Sequence, residues 1–74
     1  MRTSKDIVLL ALSSMPPVKY MEYGLMIGFG DIYEFCYQRG LDNKDIIVSV
    51  LEQLSLENHC EAVYGNELLL GVKC

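Results

Sequence analysis

Seventy-four residues, 51% of them hydrophobic and 22% charged, make a chain too apolar for disorder and long enough for only one core. Ten carboxylates against six Lys and Arg leave a net charge of −4, the wrong sign for attraction to phosphate backbones or anionic lipid. The bases Arg2, Lys5, Lys19, Arg39, Lys44 and Lys73 are scattered without a run of three, so no basic patch is readable along the chain.

Thr3-Ser4-Lys5-Asp6 places a hydroxyl three residues before a carboxylate, which predicts a capped helix start. Ile7 to Leu12 follow without a polar break, so this helix is expected to be apolar nearly all round and central to the core. The same stretch resembles a secretory leader, but Asp6 interrupts its junction and no small-x-small cleavage site follows, so a cytoplasmic chain is expected. Its charge-free run falls short of the about 20 residues a membrane span requires. Ser13, Ser14 and Pro16-Pro17 should end the helix.

Residues 18–30 are open between helix, strand and packed loop, because Gly24, Gly28 and Gly30 oppose helix while their neighbours stay strongly apolar. Gly30-Asp31 predicts a turn and N-cap for a second helix, ending at Arg39-Gly40 with Gly40 in left-handed geometry. Asp42, with Asp45 three residues on, predicts a third helix start, and Ile47, Val50, Leu51 and Leu54 line one face of residues 43–55. After Glu57-Asn58 the period switches to two. Gly65-Asn66 predicts a tight hairpin turn, which would set Val63 against Leu68, Glu61 against Leu70 and Ala62 against Leu69.

Helix, then Asp31–Arg39 with Gly40, then Asp42–Leu54, then His59–Val72 as a wing, resembles the winged helix-turn-helix domain. The resemblance implies an α+β, mainly helical single domain over residues 1–74, with three helices and a C-terminal β-hairpin. It also implies DNA contacts by the third helix and the wing. Here that helix offers Lys44 beside Asp42, Asp45 and Glu52, and the wing tip carries Glu67, so the pattern argues for the fold more than for DNA recognition.

No constellation calls for catalysis or a cofactor. His59, the one imidazole, is adjacent to Cys60, and neighbours on a strand point to opposite faces. Cys36, Cys60 and Cys74 are an odd set with no close pair along the chain, which predicts reduced thiols and no zinc. Gly28-Phe29-Gly30 lacks the rest of a phosphate-binding fingerprint. The residues left for function are large and adaptable: Tyr20, Tyr23, Met26 and Phe29 form the expected partner-binding patch, for a protein partner or a second copy. The expected function is a non-enzymatic regulatory or adaptor module acting through protein contacts. One alternative is a dimeric DNA-binding transcriptional regulator collecting Arg2, Lys5, Lys19, Lys44 and Lys73. Another is a small acidic inhibitor of the phage type that occupies a nucleic-acid-binding site on an enzyme.

Overall fold

A reciprocal capping box opens α1 (Ser4–Ser14) in the computed structural model, which describes residues 3–74. The Asp6 N–H donates to Thr3 Oγ1 at 3.1 Å, and the Thr3 N–H donates to Asp6 Oδ2 at 3.3 Å. The expected all-round burial of α1 is not what forms. Val8 and Ala11 are fully enclosed and Ile7, Leu12 and Met15 pack beside them, but Leu9 is 38% exposed. The helix rests on the two later helices, so one stripe meets protein and the rest of the apolar run faces outward.

Residues 18–30 resolve into strand. β1 (Val18–Tyr20) and β2 (Gly24–Gly28) pair antiparallel, and Gly24 at φ +79 supplies the left-handed residue of their turn. α2 (Phe29–Gln38) then starts at once with Gly28 as its N-cap, so Gly30 and Asp31 lie inside its first turn rather than ahead of it. Asp31 there complements free amide groups without capping them. The stop falls where expected. Gly40 at φ +88 lets its own N–H reach Tyr37 O at 3.1 Å and the Leu41 N–H reach Cys36 O at 2.9 Å, a Schellman motif that buries Leu41.

α3 (Lys44–Leu56) is capped by Asn43, whose side chain accepts from the Ile46 N–H at 3.1 Å. Asp42, the expected cap, instead accepts the Tyr33 hydroxyl and so joins the loop to α2. Ile47, Leu51 and Leu54 are fully buried along one face. A second Schellman stop uses Asn58 at φ 63, with the Asn58 N–H on Ser55 O at 3.1 Å and the His59 N–H on Leu54 O at 3.0 Å.

β3 (Glu61–Gly65) and β4 (Leu68–Lys73) form the expected hairpin with its turn one residue later. Gly65 pairs with Leu68, leaving Asn66-Glu67 as the loop, and both have the positive φ (51 and 65) of a type I′ turn. The pairs are therefore Val63 with Gly71, Ala62 with Val72 and Glu61 with Lys73, and Leu70 bulges out of register. Gly65 serves close approach rather than the turn: a Cβ there would lie 2.6 Å from Leu70 Cδ1 and 3.1 Å from the Tyr23 hydroxyl.

β2 also pairs with β4, which closes a four-stranded antiparallel sheet in the order β1-β2-β4-β3. Strands hold 26% and helices 47% of the described residues, a larger sheet than one terminal hairpin would give. The paired Ile27 and Val72 point toward the helices and join Val8, Ile32, Cys36, Ile47, Leu51 and Leu54 in one core. No described helix is long and apolar enough to cross a membrane.

Candidate protein-binding surface

Strand alternation divides the expected patch. Val18 pairs with Met26 and Tyr20 with Gly24, so Tyr20, Met26 and Gly28 lie on the sheet face turned away from the helices. The Tyr20 hydroxyl lies over Gly28, and the Tyr23 hydroxyl reaches Gly65 on the same side. Met26 is only 3% exposed, so it does not serve as a surface contact, and Phe29 packs against the helix-side core. Tyr20 and Tyr23 are half-buried. The exposed apolar members of this hairpin are instead Val18, Leu25 and Met21, the last fully exposed.

A different apolar surface lies between α3 and β3. Glu52, Ser55, Leu56, Ala62 and Tyr64 line an open groove of about 400 Å³ there. Its two walls are tied by the Tyr64 hydroxyl donating to Glu52 Oε2 at 2.8 Å and the Ala62 N–H donating to Ser55 Oγ at 3.4 Å. The bond to Glu52 raises the Tyr64 phenol above its usual value, so the hydroxyl stays a donor. Leu56 is 82% exposed at the lip, and Tyr64 (49%) continues the apolar surface onto β3, whereas Leu68 (67%), paired with Gly65, points to the other face of the sheet. Ile46 adds an exposed side chain at the other end of α3. Glu52 brings a carboxylate to the groove lining. Chain position hid this groove, because its residues come from elements whose exposed faces read simply as polar.

Within one chain, the described bases of the DNA-binding alternative do not gather on one face. Lys5 on α1 is paired at 3.0 Å with Glu57 near the C-terminal end of α3, while Lys44 begins α3 and lies 5.1 Å from the Tyr33 ring centroid. A helix of that length holds its two ends about 18 Å apart. Lys19 on β1 and Lys73 on β4 have opposite strand parity and so point to opposite sheet faces. Arg2 lies outside the described residues.

His59 sits beside Glu57, Nε2 to Oε1 3.7 Å, on the exposed side of the α3 terminus. Glu57 is held below the usual carboxylate range by the Lys5 ammonium and the Gln53 amide. Among the described residues no three His, Cys, Asp or Glu side chains come close enough to hold a metal ion. Comparison with protein families, curated proteins and solved structures finds no match. The α3–β3 groove places the exposed Leu56 and Tyr64 beside the Glu52 carboxylate.

Proposed function

We propose that this chain is a small interaction module of winged-helix type that binds a protein partner across α3 and the β3–β4 hairpin. The fold reading is supported by the order of elements: α1, a hairpin, α2 and α3 joined by a short turn, then a terminal hairpin whose last strand pairs back onto β2. The functional reading is carried by one observation. The face that a DNA-binding winged helix would turn to phosphate here exposes Leu56 and Tyr64 beside Glu52. A carboxylate there repels a nucleic-acid backbone, whereas an exposed leucine next to a tyrosine gains by being covered. A partner of matching chemistry presents apolar side chains ringed by Lys or Arg.

Affinity capture from the native extract, with and without nuclease, tests this against a Leu56→Glu variant whose fold is checked by circular dichroism. Bound protein should survive nuclease treatment and be lost with Leu56→Glu. Loss of all bound protein on nuclease treatment, or a salt-dependent complex of the purified chain with duplex DNA, would overturn the reading in favour of nucleic-acid binding.

A further inference from the structure

At the open end of the β3–β4 hairpin the ladder closes with Ala62 on Val72 and Glu61 on Lys73, and Cys60 and Cys74 are the residues that flank this last pair. Opposed residues in an antiparallel ladder have Cα atoms about 4.5–5.5 Å apart, within the about 4.4–6.8 Å that a disulfide spans. The two thiols lie close enough that each bears on the titration of the other. Cys60 is half-buried against the core and Cys74 is exposed, whereas Cys36, on α2, is fully enclosed. Sequence separation concealed this pair; strand register creates it.

We propose that Cys60 and Cys74 are a redox modification site, joined by a reversible disulfide when the protein meets a hydroperoxide. Cys74, the accessible thiol, reacts first. Its thiolate sulfur bonds to one peroxide oxygen, the O–O bond breaks, and Cys74 becomes a sulfenic acid while hydroxide or alkoxide leaves. The Cys60 sulfur then attacks the Cys74 sulfur, the S–O bond breaks, and the hydroxyl departs as water with the Cys60 proton. Two thiols lose two electrons in all, and the peroxide gains them. Burial raises both thiols, and the Cys60 thiol most, up to about 11, which leaves Cys74 the readier of the two to attack first and suits Cys60 to second place beside an already oxidised sulfur. A small dithiol returns both groups to the reduced state.

The closed ring contains Glu61 to Lys73 and locks the base of the hairpin that forms one wall of the groove. Loops of about 15 residues restrict the unfolded chain enough to raise the thermal midpoint by on the order of 10 °C. The test treats the full-length chain with hydrogen peroxide, alkylates the remaining thiols, and reads intact mass, peptide map and melting curve. The expected product is monomeric, about 2 Da lighter before alkylation, cross-linked between Cys60 and Cys74, and higher melting until dithiothreitol reverses it. Cys74→Ser, at an exposed position, should abolish both the mass loss and the rise in melting temperature while keeping the native spectrum, and Cys60→Ser should do the same if it folds. A link involving Cys36, a disulfide-bonded dimer as the only product, or no loss of mass at all would each overturn the assignment.

Discussion

On the helix side of the sheet, Ile27, Leu69 and Val72 meet side chains from three helices and share one continuous core. On the outward side no second layer exists, yet Met26 and Val63 are still no more than 9% exposed. They belong to the face where Tyr20 lies over Gly28 and where Tyr23 and Leu70 crowd Gly65. The difference teaches how a sheet covered on one side only manages its other face. Branched aliphatics fill volume where helices bring partners, whereas glycines form a low floor over which long side chains fold back where none arrive.

The comparison is broken most directly on the helix side. Leu51→Ala removes a fully enclosed side chain from between α3 and its neighbours, and urea unfolding should show a loss of about 3 kcal/mol. On the outward side the largest effect should come from adding atoms rather than removing them. A Cβ at Gly71 would collide with the backbone carbonyl of Ile27, which cannot move aside as a side chain would, so Gly71→Ala should cost about 2 kcal/mol. A nearly neutral Gly71→Ala would show that this face is loosely packed. Tyr23→Ala should cost less, about 1 kcal/mol, because the ring is only half-buried, but it should also increase binding of a hydrophobic dye as the outward cluster opens. Unchanged dye binding would mean that Tyr23 covers nothing. The smallest effect has the opposite sign: Glu67 holds a left-handed φ of 65 in the hairpin loop, and Glu67→Gly should stabilise by about 0.5 kcal/mol, read as a higher urea midpoint.

The start of α1, the stop of α2 and the buried face of α3 were legible because their signals are local. Thr3 and Asp6 meet within one turn, Gly40 closes α2 over the residues just before it, and the spacing of Ile47, Leu51 and Leu54 names the buried face of α3. Where two acceptors stood side by side, local reading chose the wrong one. Asp42 and Asn43 both suit an N-cap, and the choice was made by Tyr33, a residue of the preceding helix that claims Asp42.

Everything that depended on pairing came from tertiary structure. The hairpin was visible in its period of two, but its turn lies one residue later because Gly65 is placed for close approach to Leu70 and Tyr23 rather than in the turn, and that shift together with the Leu70 bulge re-paired every position of the ladder. The β1–β2 strands were masked by Gly24, Gly28 and Gly30, three glycines that read as punctuation until the neighbouring strand and α2 assign each a place. The α3–β3 groove and the Cys60–Cys74 contact arise in the same way, from residues brought together by strand register and helix packing. Capping and periodicity act within a few residues, so this chain determined its helices by itself. Which faces meet, and therefore which side chains are left exposed to bind or react, was decided by the packing of elements far apart in sequence.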